Sequence, residues 1–253
     1  MSRLAVIGGS GFAAMPGLDV LDRRQPDTPY GPPSAPVIRG LLGGAEVFFL
    51  PRHGTGHGIP PHRIDYRANL WALKTCGVER VVGLAAVGGI GGAFGPRVLA
   101  VPDQIIDYTY GRAHSFSDGD RGEVLHIDFT RPYCEGLRRA LLGAARDCGL
   151  AVEDGGTYGA TQGPRLETAA EIMRLERDGC DLVGMTGMPE AALARELGLC
   201  YACFAFVVNW AAGKTSGEIR MEAIEANITA CSARIERILT ALVSAESPDS
   251  TLP

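Results

Sequence analysis

Arg52, His53, His57, His62 and Arg63 crowd onto one short stretch of a chain that holds only five histidines in all. They follow an apolar run, Val47 to Leu50, and precede an amphipathic segment that begins near Arg67. Cations gathered where a strand ends suit an anionic ligand, because phosphate oxygens favour fixed donors and positive charge. No helix carries these histidines at H-x-x-x-H spacing, so a metal site is not expected.

A second group of donors stands near the start. Ile7-Gly8-Gly9-Ser10-Gly11-Phe12 sets a hydroxyl and bare amides directly after the apolar run Leu4 to Ile7. Glycine there lets backbone N–H groups approach a ligand closely. The same letters, Gly9 to Ala14, also fit the G-x-G-x-x-A dinucleotide fingerprint. That reading requires an uninterrupted helix and then a strand ending in an acid. Pro16-Gly17 and the proline-rich stretch 26–36 follow instead, which leaves a non-catalytic nucleoside- or dinucleotide-binding module as a remote alternative. Glycines cluster again at 54–58, 88–95 and 155–163, each time after an apolar run, as expected of one site assembled at strand ends.

Further segments complete a pattern: Ala85-Ala86-Val87-Gly88-Gly89, Gly163-Pro164-Arg165-Leu166-Glu167-Thr168, Met185-Thr186-Gly187-Met188-Pro189-Glu190 and Val207-Val208-Asn209-Trp210-Ala211-Ala212-Gly213. With Arg52-His53-Gly54 and the Ser10 loop, this ordered set resembles the nucleoside phosphorylases, and within them the methylthioadenosine/methylthioinosine phosphorylase branch. The resemblance runs from Leu4 to about Ile238. It implies that phosphate is held by Ser10, Gly11, Arg52, His53, Ala86 and Thr186, with Arg52 as the fork donor. Ser10 stands where the methylthioadenosine enzymes place threonine, and Ala85-Ala86-Val87 replaces their Thr-Thr-Ala, so that backbone amides remain where hydroxyls are lost. His57 and Met185 are expected beside the ribose. His126, Met221 and Ile224 match the positions that cover the 5′ group, the histidine reaching in from a neighbouring subunit. Glu190 is expected to organise the site from behind.

The base contacts implied are Leu166, Glu167, Asn209 and Ala211. Adenine-type enzymes carry serine at the position of Glu167 and aspartates at those of Asn209 and Ala211. A 6-oxopurine presents an N1–H that a carboxylate can accept, whereas the N1 lone pair of adenine repels it. An Asn amide can donate to N7 or O6 as charge grows on the departing base. Asn209, His53 and Arg52 are thus the expected catalytic residues. Hydrogen-bonding sites reject a mismatched base by roughly 10⁴-fold, while an apolar pocket separates methylthio from hydroxyl by about 10²-fold or less. Base class is the sharper expectation. The implied activity is phosphorolysis of a 6-oxopurine nucleoside, with 5′-methylthioinosine and phosphate giving hypoxanthine and 5-methylthioribose 1-phosphate. Inosine or guanosine, or 5′-methylthioadenosine, are the alternative substrates. Inorganic phosphate is then a co-substrate, with no cofactor and no metal, and the assembly a homotrimer or a dimer of trimers.

Such a site needs strands that end together. Strands are expected at Leu4–Ile7, Val37–Arg39, Val47–Leu50, Arg80–Ala86, Gln104–Tyr108, Gly156–Ala160, Leu182–Met185 and Tyr201–Val208. Helices are expected at Arg67–Cys76, from Pro132 to the stop at Gly149, and along Ile224, Ile228, Cys231, Ile235, Ile238 and Leu242. Their alternation gives an α/β sandwich, and with the resemblance a single-domain, three-layer one: a central mixed β-sheet flanked by helices. Residues 1–243 form the expected domain and 244–253 a flexible tail.

At 253 residues and 46% hydrophobic, the chain can bury one large core. A net charge of -5 without a basic block argues against nucleic acid as a partner. No signal peptide is visible, and the weakly polar run Val81 to Phe94 is too short and glycine-rich to span a bilayer, so a cytoplasmic location away from membranes is expected. The seven cysteines are expected to be reduced, Cys200-Tyr201-Ala202-Cys203 included, because that C-x-x-C falls in a buried strand.

Overall fold

Alternating strands and helices demand a sheet whose two faces are both covered, and the computed structural model has that form. It describes residues 2–117, 119 and 124–245. Eleven strands make one mixed sheet: β1 (Leu4–Gly8), β2 (Leu18–Arg24), β3 (Val37–Leu42), β4 (Ala45–Pro51), β5 (Arg80–Gly89), β6 (Leu99–Val101), β7 (Gln104–Asp107), β8 (Glu153–Asp154), β9 (Thr157–Ala160), β10 (Leu182–Gly184) and β11 (Cys200–Trp210). Five helices follow the same numbering: α1 (Tyr66–Thr75), α2 (Glu135–Asp147), α3 (Ala169–Arg177), α4 (Gly187–Glu196) and α5 (Met221–Ser244).

The centre is β5, which pairs in parallel with β1 and β11 and antiparallel with β10. Alternation along the strands sorts the core into two sides. Tyr201, Cys203, Ala205 and Val207 face α1 and α4 through Leu70, Leu73, Ala191 and Leu193. Ala202, Phe204, Phe206 and Val208 face α2 and α5 through Leu137, Leu141, Ile235 and Leu242. The two-residue period of a strand thus builds the three layers. The apolar stripe of α5 is core, as its helical spacing implies.

All eight expected strands and three expected helices are present, with ends shifted by a few residues. Strands β2, β6 and β8 and helices α3 and α4 add to them. Two expectations fail. The helix after Pro132 starts only at Glu135, because Tyr133 is drawn into the core and Cys134 is bonded elsewhere. That bond is a disulfide to Cys200, with Cα atoms 5.1 Å apart, so not all seven cysteines are reduced. Cys203, the other half of the C-x-x-C, is a free thiol that burial pushes up to about 12.

Candidate active site

A cavity of about 420 Å³ opens where several strands end. β1 delivers Gly9 and Ser10, β4 delivers Arg52 and His53, and the last turn of β5 delivers Ala86 to Gly88. Met185 and Thr186 follow β10, and β11 brings Asn209. Of the expected site residues, all but Gly11 and His126 border this one space. Gly11 has a role beside it: its φ of 81° is a left-handed backbone, and a Cβ there would collide with Ile228 on α5. His126 is exposed and away from the cavity of its own chain.

At the phosphate end, Arg52 is 1% exposed and lies in an ion pair. Its Nε donates to Glu190 Oε2 at 2.7 Å and its Nη2 to Oε1 at 2.8 Å, while Nη1 donates to the Leu84 carbonyl at 2.8 Å. The forked face of the guanidinium therefore belongs to Glu190 rather than to a ligand, which corrects the expected fork geometry. A guanidinium has five N–H groups; these bonds take one each at Nε, Nη1 and Nη2, leaving one at each Nη. Burial works against the Arg52 charge, but the Glu190 carboxylate outweighs it and holds the group above its ordinary value. Tyr201 donates to Glu190 Oε1 at 2.8 Å, fixing the pair from the other side. Gly9 makes room for it, since a Cβ there would sit 2.8 Å from Arg52 Nη1.

His53 is buried beside this pair. Its Nδ1 lies 2.8 Å from the carbonyl oxygen of Ile59, so Nδ1 carries the proton and donates. Burial, and then the Arg52 charge, push its pKa down to about 4. The ring is neutral at physiological pH and presents Nε2 as an acceptor, which suits the hydroxyl of a hydrogen phosphate ion. His57 stacks loosely on it at 4.4 Å between ring centroids and is itself exposed.

The base end is built differently. The pairing of β11 with β5 slips between Val207 and Asn209, so Val208 is an extra residue. Such a bulge re-aims the side chains beyond it, and Val208 and Asn209 both border the cavity although consecutive strand residues point to opposite faces. The Val208 carbonyl is taken by Asn227 Nδ2 at 2.8 Å, and Arg97 holds Asn227 in turn at 2.7 Å. Asn209 Nδ2 donates to the Trp210 carbonyl at 2.7 Å, which leaves one N–H and the amide oxygen for a ligand. Glu167, in the same lining, accepts from the Thr161 hydroxyl at 2.6 Å. Leu166 and Met221, at 41% and 58% exposure, form an apolar rim.

Thr161, Asn227, Tyr201 and Arg112 act on these groups from outside the motifs. Arg112 is buried and donates to the carbonyls of Met185 (2.9 Å), Met188 (2.6 Å) and Gln162 (2.8 Å), tying the ribose and base segments together. No motif marks such residues: Thr161, Tyr201 and Asn227 meet their partners 6, 11 and 19 positions away, and Arg112 meets its carbonyls 50 to 76 positions away.

A family model described as the phosphorylase superfamily matches residues 3–244, and the chain belongs to that family. A protein of Xanthomonas campestris pv. campestris named probable S-methyl-5′-thioinosine phosphorylase is 54% identical over 237 residues, spanning 93% of this chain and 95% of that one. The 6-oxopurine nucleoside phosphorylase of Pyrococcus furiosus is 47% identical over 224 residues, spanning 87% and 83%. Among solved structures, methylthioadenosine phosphorylase from Schistosoma mansoni in complex with adenine superposes with a TM-score of 0.93 at 31% identity, covering 97% of this chain and 92% of that one. The expected family and the three-layer fold with its mixed sheet are thereby borne out.

Proposed function

We propose that this enzyme cleaves the N-glycosidic bond of a 6-oxopurine nucleoside with inorganic phosphate, and that 5′-methylthioinosine is its preferred substrate. The observation that supports the reading is that Glu167 and Asn209 line the same cavity, an acceptor for N1–H and a donor for the departing base. The printed names of the Xanthomonas and Pyrococcus relatives support the same base class.

Phosphate would meet the free N–H groups of Arg52, the Gly9-Ser10-Gly11 amides, the Ala86 backbone and the Thr186 hydroxyl, and donate its own hydroxyl to His53 Nε2. Met185 and His57 would flank the ribose. As the C1′–N9 bond lengthens, positive charge grows on the sugar and negative charge on the purine. The remaining Asn209 N–H stabilises the base at N7 or O6, and Glu167 keeps it in register through N1–H. Phosphate then attacks C1′ from the opposite face, so the residues contribute position and fixed dipoles rather than a covalent link. No cofactor is needed beyond the phosphate itself.

The exposed Met221 and Leu166, with Ile224, leave the sugar's 5′ end half covered in one chain. A second copy would cover it with His126, consistent with a homotrimer. A cytoplasmic location forms part of this reading. Among the described residues, no helix is long and apolar enough to cross a membrane.

The test is base release from 5′-methylthioinosine, inosine, guanosine and 5′-methylthioadenosine, each with and without phosphate. Methylthioinosine is expected to be fastest and methylthioadenosine slowest, with no turnover when phosphate is omitted. Fastest cleavage of methylthioadenosine would remove Asn209 and Glu167 from base reading.

A further inference from the structure

Glu167 borders two spaces. One is the main cavity, and the other is a smaller one of about 180 Å³ lined by Arg165 and Arg174 among others. Pro164 to Leu166, directly before Glu167, are exposed and Glu167 itself is only half-buried, so packing alone does not fix which space its side chain enters. Arg165 and Arg174 beside the smaller space are paired with Glu171 and Asp178, yet their positive charge still favours a carboxylate turned towards them. A Glu167 turned that way reads nothing.

One contact opposes this. The Thr161 hydroxyl lies 2.6 Å from Glu167 Oε1 and 3.3 Å from the Gly184 carbonyl, so its single proton goes to the carboxylate. The hydroxyl itself cannot wander, because the backbone of Thr161 is pinned on both sides. Its N–H donates to the Gly184 carbonyl at 2.8 Å, and its carbonyl accepts from Arg112 Nη2 at 3.2 Å. Arg112 is in turn anchored to the Met185 and Met188 carbonyls. The position of the donor is therefore set by the sheet and by a buried cation, not by the loop it controls.

We infer that Thr161 is the positioning residue for base specificity: its hydroxyl holds Glu167 against the main cavity, with Oε1 tied and Oε2 free to accept the N1–H of a 6-oxopurine. This rests on the 6-oxopurine reading, and the experiment separates the two.

Thr161→Val keeps the shape and the strand preference of threonine and removes the donor; Thr161→Ala repeats the test should the valine variant not fold. Both are compared with Thr161→Ser, Glu167→Gln and wild type. The measurements are kcat/KM for 5′-methylthioinosine, and dissociation constants for hypoxanthine and adenine in the presence of phosphate. Losing a hydrogen bond to a charged group corresponds to roughly 10- to 100-fold. Thr161→Val is expected to weaken hypoxanthine binding and methylthioinosine turnover by that factor while adenine binding stays within about twofold. Thr161→Ser should restore both. If hypoxanthine and adenine weaken together in both Thr161→Val and Thr161→Ala, the residue is merely structural and the inference is overturned. Wild-type selectivity in Thr161→Val beside impaired selectivity in Glu167→Gln overturns it too, and leaves the base reading intact. Unchanged selectivity in Glu167→Gln overturns both.

Discussion

The phosphate end and the base end of the cavity are built on opposite principles. At the phosphate end, Arg52 and Glu190 are each 1% exposed by side chain, share two hydrogen bonds and are braced by Tyr201. The residues sit on or directly after strands, and the glycines around them exist to let backbone and guanidinium approach. At the base end, Glu167 follows an exposed run and accepts one hydrogen bond from Thr161, six positions before it, while Asn209 follows a bulge and is tied to the neighbouring Trp210 carbonyl. In the proposed arrangement, the difference teaches that the group common to every reaction of this kind, the oxyanion, is met by structure that the core cannot lose. The group that varies, the purine, is met by side chains that can change without unfolding the sheet.

The comparison breaks most visibly if the buried pair is opened. Glu190→Ala leaves the Arg52 charge buried without its partner, which costs about 3–5 kcal/mol. Urea denaturation should show that loss, whereas Glu167→Ser should stay within about 0.5 kcal/mol of wild type. Next in size, Asn209→Ala removes a donor aimed at developing charge, and kcat for methylthioinosine should fall by about 10²–10³-fold with little change in melting temperature. The Cys134–Cys200 disulfide closes a separation of 66 residues. It joins the start of β11, while Asn209 lies near the other end of that strand. Its reduction should therefore cost about 2–4 kcal/mol of stability and leave the substrate ranking unchanged, which thiol titration with parallel assays would check.

A further effect concerns His53. Its folded pKa of about 4 lies below the unfolded value near 6.5, so the unfolded chain binds the extra proton first. Stability attributable to this histidine is intact above pH 6.5, declines as pH falls towards 4, and changes no further below that. His53→Gln should flatten this part of the stability–pH curve. A variant curve that parallels wild type between pH 6.5 and 4 would mean that the ring is not buried neutral.

Much of the fold was legible because the strands that matter are apolar runs closed by glycine, and α5 repeats with helical spacing. What escaped has physical reasons. β2 is a largely exposed edge strand without alternation, and β6 and β8 are three and two residues long. Helix α3 carried one readable signal, the capping box formed by Thr168 and Glu171. Only Thr168 of that box belongs to the Gly163–Thr168 motif, and the helix behind it is only nine residues long. The disulfide could not be read at all, since nothing in the sequence links positions 134 and 200. Nearly every residue that the motifs assign to the site lines the cavity, but the motifs could not show that Arg52 gives its fork to Glu190 or that Thr161 holds Glu167. The first depends on residues 138 positions apart, and the second on how the loop between β9 and α3 turns.

The central claim is that Glu167 and Asn209 together choose the base. The most direct measurement is the ratio of kcat/KM for 5′-methylthioinosine over 5′-methylthioadenosine, in wild type and in the double variant Asn209→Asp, Glu167→Ser. The account predicts a ratio well above one in wild type that drops by several orders of magnitude, towards the roughly 10⁴-fold span of a hydrogen-bonded base site, in a variant that remains folded and dependent on phosphate. An unchanged ratio in a folded, active double variant would contradict it.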